Sequence, residues 1–188
     1  DGCACLLYTS GTTGAPKGVM TSHRSMIANS TLSMLQGAAV SQDSSSKGID
    51  WAKHKPTSLL TSPLFHVSGL SAGVVTSLFA GSTTLLYAGK FSAHKILELI
   101  DKFNVTSWGG AVPTALKRVL DAANETNISL PSVLVVGGGG APMPPALIER
   151  TKEVFPSSKY SFGYGYGLTE SGAITIINWG ENLKSNPA

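Results

Sequence analysis

The sequence is poor in charge: Asp, Glu, Lys and Arg make up 13% of its 188 residues, about half the share of an ordinary soluble domain. The net charge of +3 is spread without a block of one sign, which argues against nucleic acid or a membrane surface as partner. Cysteine is almost absent. Cys3 and Cys5 are separated by one residue, so a mutual disulfide would close a strained ring, and free thiols in a reducing cytoplasm fit better. No basic segment followed by an apolar one opens the chain, and it begins at Asp1 rather than at Met, so it is expected to be a piece of something longer. The most apolar stretch, residues 59–80, is broken by Pro63, His66 and several serines, which predicts a buried strand and helix rather than a transmembrane segment. His23, His54, His66 and His94 lack ligand spacing, so no histidine metal centre is expected, and no Ser-His-Asp arrangement is inferred. Glycine, by contrast, is plentiful at 21 residues, and apolar residues at 42% suffice for a buried core.

Alternating apolar runs and turn residues predict strands separated by helices. Residues 4–8 read as a short strand entering a Gly- and Thr-rich loop, after which Ser22 caps a helix through Met26, Ile27 and Leu32 to residue 35. Residues 41–55 are polar, Ser-rich and aperiodic, which predicts a surface loop. Further strands are predicted at 58–61, 83–87, 105–108, 133–136, 160–162 and 174–177. Helices are predicted at 70–79, at 114–123 behind Pro113, and from Pro144 and Pro145 to residue 154. Ser92 caps another, whose Ile96, Leu97 and Ile100 share one face. Helices of crossover length between strands imply an α/β fold, a largely parallel sheet with helices on both faces. Ligands gather at the carboxyl ends of such strands, where loops 9–18, 137–142 and 164–171 are expected.

Loop 9–18 carries Thr9, Ser10, Gly11, Thr12, Thr13, Gly14 and Lys17. Small residues let backbone N–H groups converge, hydroxyls add donors, and Lys17 supplies a cation, a combination suited to polyphosphate. It is not a Walker loop: counting from Gly11, Pro16 occupies the place of the second glycine and Gly18 follows the lysine. A second motif runs Gly163-Tyr164-Gly165-Tyr166-Gly167-Leu168-Thr169-Glu170, where a tyrosine between glycines can lie against a purine and a hydroxyl and carboxylate can reach a phosphate and its magnesium. Read alone, Glu170 is equally a helix-start carboxylate and Tyr166 a half-buried core ring. Gly137-Gly138-Gly139-Gly140-Ala141-Pro142 admits a flat base close to the main chain, and is also what many strand-to-helix turns look like. His66, in Pro63-Leu64-Phe65-His66-Val67-Ser68-Gly69, is either a hydrogen-bonded core residue or a site residue.

These four segments, in this order, resemble the adenylate-forming (AMP-binding) superfamily, which includes acyl-CoA synthetases, coumarate-CoA ligases, luciferases and peptide-synthetase adenylation domains. The match at residues 9–18 covers ten consecutive positions. The resemblance implies a segment of the family's large N-terminal domain, with residues 1–188 as one AMP-binding unit and the small C-terminal domain outside it. It implies ATP and Mg²⁺ as cofactors, with Thr9, Ser10, Gly11, Thr12, Thr13, Gly14 and Lys17 on the β- and γ-phosphates. Tyr166, Gly167, Gly139, Gly140, Ala141 and Pro142 would lie at adenine, Thr169 at the α-phosphate and Glu170 on the metal. Lys17, Thr169 and Glu170 are the implied catalytic groups. His66 and Val67, with Gly110 in the 108–113 segment and Gly138, are implied at the acyl substrate; Trp108 is pocket wall or core. Tyr164 departs from the family pattern, in which a polar amide is common there.

The implied reaction joins a carboxylic acid to ATP as an acyl-adenylate and then passes the acyl group to CoA. No acidic residue occurs at 65–89 or 108–120 to meet an amino group, so a fatty or aryl acid is expected before the amino acid of a peptide-synthetase domain. A binding-only nucleotide module is the alternative of another class. The segment alone is expected to be inactive, and the whole protein cytoplasmic.

Overall fold

The computed structural model describes residues 1–11, 14–42, 48–50 and 53–180. Its first two strands, β1 (Cys3–Thr9) and β2 (Lys17–Ser22), pair antiparallel as a separate two-stranded sheet, with Leu7 opposite Val19 and Thr9 opposite Lys17. This corrects the expected loop from residue 9 to 18 leading straight into a helix: Lys17 and Gly18 belong to β2. Val19 and Thr21 supply the β-branched positions that favour a strand, and the partner strand lies only a loop away.

Helix α1 (His23–Gln42) follows at once, with Ser22 Oγ accepting from Ser25 N at 3.2 Å as the expected cap. It outruns its expected end at residue 35 because Ala38 and Ala39 are strong helix formers and Val40 is buried. Residues 41 and 42, assigned to a loop, therefore finish the helix, while 43–47 and 51–52 of that loop lie outside the described residues.

The main sheet holds β3 (Thr57–Leu60), β4 (Thr83–Leu86), β5 (Ser107–Ala111), β6 (Val135–Gly139), β7 (Phe162–Leu168) and β8 (Ala173–Trp179), in the order β4-β3-β5-β6-β7-β8. All neighbours are parallel except β7 and β8. Three strands sit later than expected, among them β5, which was expected at 105–108. β6 runs through Gly139 instead of ending at 136, and β7 starts at Phe162 after a 3₁₀ turn, Pro156–Tyr160. The cause is mutual: Gly137, Gly138 and Gly139 pair with Gly163, Tyr164 and Gly165, and a Cβ on Gly139 would come within 2.6 Å of Gly165 O. Glycine here serves close strand approach, not turning.

The period-2 alternation of β3 assigns the two faces of the sheet. Leu59 joins the core under α4 (Ala93–Phe103), α5 (Pro113–Thr126) and α6 (Pro145–Val154), where Ile96, Ile100, Leu116, Leu120 and Phe155 are fully buried. Each such side chain contributes about 1.5–3 kcal/mol of burial. Leu60 faces the opposite way, against Gly73 of the helical segment made of α2 (Val67–Gly69), a π-helical stretch Leu70–Val75, and α3 (Thr76–Phe79). The helix expected at 70–79 thus begins earlier and widens midway, with Thr76 Oγ1 donating to the Ser71 carbonyl five residues back at 3.0 Å.

Candidate active site

The end of the β1–β2 hairpin is a short loop in which Gly11 adopts φ +66° and Gly14 φ +105°; a Cβ on Gly11 would press on Ala15 O at 2.8 Å. Only glycine satisfies both the left-handed backbone and that contact. Thr12 and Thr13 lie outside the described residues. Ser10 and Lys17 are exposed, and Lys17 forms no ion pair among the described residues. A lysine kept free beside a glycine-rich turn offers its charge to an external anion.

The second wall is β7 and the turn after it. Residues 164–168, expected in a loop, are strand, which fixes Tyr164 and Tyr166 on one face two residues apart. Tyr166 is 58% exposed, so it is not the half-buried core ring that its sequence also allowed. Tyr164 Oη donates to Ala141 O at 2.8 Å, strapping β7 to the turn that follows β6, where Gly140 adopts φ +79° and Gly140, Ala141 and Pro142 are exposed. Beyond Leu168 the chain reverses, so Glu170 sits in a hairpin turn and not at a helix start. Ser171 holds that turn: its single Oγ proton is shared between the carbonyls of Leu168 at 2.8 Å and Ala173 at 2.9 Å, and Oγ accepts from Leu168 N at 3.1 Å. Thr169 and Glu170 are left at its tip, and Glu170 is exposed without an ion pair among the described residues.

Two contacts join the walls. Leu7 packs with Val67 and Ala173 in a small buried cluster, and Asn29 of α1 donates from Nδ2 to Ser171 O at 3.3 Å. Leu7 lies two residues before Thr9 and Ala173 three after Glu170. These contacts bring the base of the glycine-rich loop and the base of the Thr169–Glu170 turn near one another, although the two belong to different sheets and not, as expected, to one sheet edge. Asn29 and Ser171 carried no sequence signal, since neither sits in a periodic pattern that couples them.

His66 caps α2: its Nδ1 accepts from Ser68 N at 3.2 Å and lies 2.9 Å from Ser68 Oγ. That leaves Nε2 as the proton-bearing nitrogen of the neutral ring. His66 is exposed, whereas its neighbour Val67 turns inward to the Leu7 cluster. Gly138 is buried, with Met143 Cε 2.6 Å from where a Cβ would stand; Gly110 lies in β5. Trp108 is core: fully buried, edge-on to Phe155 at 6.1 Å, its Nε1 donating to Thr61 Oγ1 at 3.1 Å. Residues 69–73 spell Gly-x-Ser-x-Gly, a pattern missed in the sequence, but Ser71 is 4% exposed inside the π-helical stretch rather than on a strand-to-helix elbow. It presents no nucleophile.

A family model described as AMP-binding enzyme matches residues 1–188. The chain belongs to the AMP-binding family. A 4-coumarate–CoA ligase of Vanilla planifolia is 35% identical to it over 178 residues, covering 94% of this chain and 30% of that protein. A probable CoA ligase of Humulus lupulus is 39% identical over 173 residues, covering 91% of this chain and 28% of its own length. Among solved structures, o-succinylbenzoate CoA synthetase of Bacillus subtilis in complex with ATP and magnesium superposes with a TM-score of 0.77 at 32% identity, over 99% of this chain and 34% of that one. Its complex with the acyl-adenylate intermediate gives 0.76 at 31%, over 98% and 34%. This AMP-binding segment thus spans about a third of the length of the relatives it matches. Among the described residues no helix is long and apolar enough to cross a membrane, and no three of His, Cys, Asp and Glu cluster as a metal cage. A lone exposed carboxylate such as Glu170 fits Mg²⁺, which takes one or two carboxylates and completes its shell with phosphate oxygens and water.

Proposed function

We propose that the protein carrying this chain is an acid–thiol ligase: it activates a fatty or aryl carboxylic acid with ATP and passes the acyl group to CoA. The observation that supports this most directly is the pair of contacts Leu7–Ala173 and Asn29–Ser171, which bring the base of the Lys17 loop near the base of the Glu170 turn. In the first step a carboxylate oxygen attacks the α-phosphorus of ATP, forming an acyl–phosphate bond as the bond to pyrophosphate breaks. In the second, CoA sulfur, its proton lost to solvent, attacks the acyl carbon and AMP leaves. Neither demands a strong general base; both demand neutralised phosphate charge.

In this reading the backbone and hydroxyls of Thr9, Ser10, Gly11, Thr12, Thr13 and Gly14, with Lys17, hold the β- and γ-phosphates, and Thr169 holds the α-phosphate. Glu170 would hold Mg²⁺, which supplies charge neutralisation on the phosphates when bound. Tyr166 and Gly167, with Gly139 to Pro142, cradle adenine, while His66, Val67, Gly110 and Gly138 border the acyl group. The segment by itself binds ATP weakly and does not release pyrophosphate, the remaining groups coming from a small C-terminal domain and other parts of a cytoplasmic protein. In the full-length protein, Lys17→Ala and Glu170→Ala are expected to lower acid-dependent pyrophosphate release by roughly a hundredfold or more. Undiminished rates in both variants would mean that Lys17 and Glu170 do not carry the chemistry, and no acid-dependent release from the unaltered protein would leave a nucleotide-binding module without it.

A further inference from the structure

The turn that carries Thr169 and Glu170 fixes its own shape but not its own place. Ser171 N donates to Leu168 O at 3.2 Å, Gly172 N donates to Thr169 O at 3.0 Å, and the Ser171 hydroxyl closes the same segment on itself. All of these bonds travel with the β7–β8 hairpin. Among the described residues a single hydrogen bond reaches residues 168–172 from outside that hairpin, the one from Asn29 Nδ2 to Ser171 O at 3.3 Å. Its donor stands on firm ground. Asn29 lies on α1, half-buried, next to Ser30, which is 1% exposed with its Oγ 3.5 Å from Thr76 Oγ1. Ser25 shares its helix face one turn earlier, and Gly172 seats against both: a Cβ there would stand 3.5 Å from Ser25 Oγ and collide with the Asn29 amide.

We infer that Asn29 is a positioning residue for the metal site: by holding the Ser171 carbonyl it sets where the neighbouring Glu170 presents its carboxylate. The inference rests on the reading above in which Glu170 holds Mg²⁺, and in that reading Asn29 is itself assigned to neither nucleotide nor metal. Mg²⁺ tolerates little departure from octahedral geometry, so a lone carboxylate on an exposed turn contributes only where its backbone is held in place.

The test is titration calorimetry on the full-length protein with ATP in excess Mg²⁺ and with ATP in a chelator. Wild type, Asn29→Ala, Asn29→Gln, Glu170→Ala and the Asn29→Ala/Glu170→Ala pair are compared, thermal melts establishing that each is folded. Wild type is expected to bind ATP more tightly with Mg²⁺ than without it. Asn29→Ala should weaken the Mg²⁺-dependent complex by about fivefold, the size of one neutral hydrogen bond, and leave metal-free ATP unchanged. Asn29→Gln, which keeps an amide donor, should recover part of the loss. With Glu170 already removed, Asn29→Ala should change neither affinity. Equal weakening of both forms of ATP would make Asn29 a brace for the fold and overturn the inference, as would an undiminished effect of Asn29→Ala without Glu170, or no effect with it. Should Asn29→Ala not fold, Asn29→Leu, which fills the space without a donor, decides the same comparison. In each of these cases a Mg²⁺ preference that Glu170→Ala abolishes leaves the adenylation reading intact. Wild type and Glu170→Ala that both bind ATP alike with and without Mg²⁺ would remove the Glu170 assignment and this inference with it, and no binding of ATP in either form would remove the adenylation reading as well.

Discussion

Asn29 Nδ2 donates to Ser171 O at 3.3 Å across 142 positions of sequence, and Gly172 lies directly against the same amide. Helix α1 therefore sets the position of the turn that presents Thr169 and Glu170, so part of the site's geometry is built by a residue outside every glycine-bearing motif.

This contact predicts non-additivity. Gly172 has φ +80°, and a Cβ there would collide with Asn29 Nδ2. Gly172→Ala is expected to cost about 1–3 kcal/mol, part from left-handed strain and part from that collision. Asn29→Ala alone should cost about 1 kcal/mol for a neutral hydrogen bond. In the Asn29→Ala background the collision is gone, so urea titrations should give a double variant more stable than the sum of the singles. Strict additivity would show that α1 does not position the turn.

The sequence reveals those features that repeat locally. The Ile96, Leu97, Ile100 stripe, the Ser92 cap and the prolines opening α5 and α6 each lie within a few residues of what they determine, and each emerges where expected. β2 was hidden because its strand character depends on pairing with β1 while its first residues, Lys17 and Gly18, read as the tail of a phosphate loop. The four-glycine run reads as a turn because flexibility is the ordinary reason for glycine. Here three of the four lie in a strand, and Gly139 is needed because β7 approaches too closely for a side chain. At the site, residue types were legible, but the Tyr164–Ala141 strap and the Asn29–Ser171 link depend on distances between elements, which no local pattern encodes.

Asp121 of α5 ties two helices through one carboxylate, and this sets a pH dependence. Lys117 donates to it at 2.6 Å from the same helix and Arg150 at 2.7 Å from α6, and these hydrogen bonds hold its carboxyl below the usual value. A carboxylate with a lowered folded pKa stabilises the fold above its ordinary value near 3.9 and loses that contribution as pH falls through the folded value. Asp121→Asn should therefore be less stable at neutral pH and lose less stability on acidification. Because the carboxylate is solvent-accessible, high salt should shrink the difference. Urea midpoints that fall in parallel for the two proteins from neutral to acid pH would refute the assignment.

Gly139 and Gly140 are adjacent and chemically identical, yet the structure assigns them opposite sensitivities. A Cβ on Gly139 meets the backbone oxygen of Gly165 at 2.6 Å, and a strand backbone cannot rotate away as a side chain can. Gly139→Ala must push β6 from β7 and with it Tyr166 from the Gly140–Pro142 turn, so nucleotide binding and stability should fall together, the latter by about 1–3 kcal/mol. At Gly140 the space is open, Val112 Cγ1 at 3.5 Å being ordinary contact, and only the φ of +79° opposes a side chain. Gly140→Ala should cost about 1 kcal/mol, and Gly140→Asn less, since Asn tolerates the left-handed region better than other side chains. Thermal melts with and without ATP separate the cases: the Gly139 variant should lose most of its ATP-induced stabilisation while the Gly140 variants keep theirs. The reverse order would mean that base binding depends on the flexibility of the turn and not on the spacing of the strands.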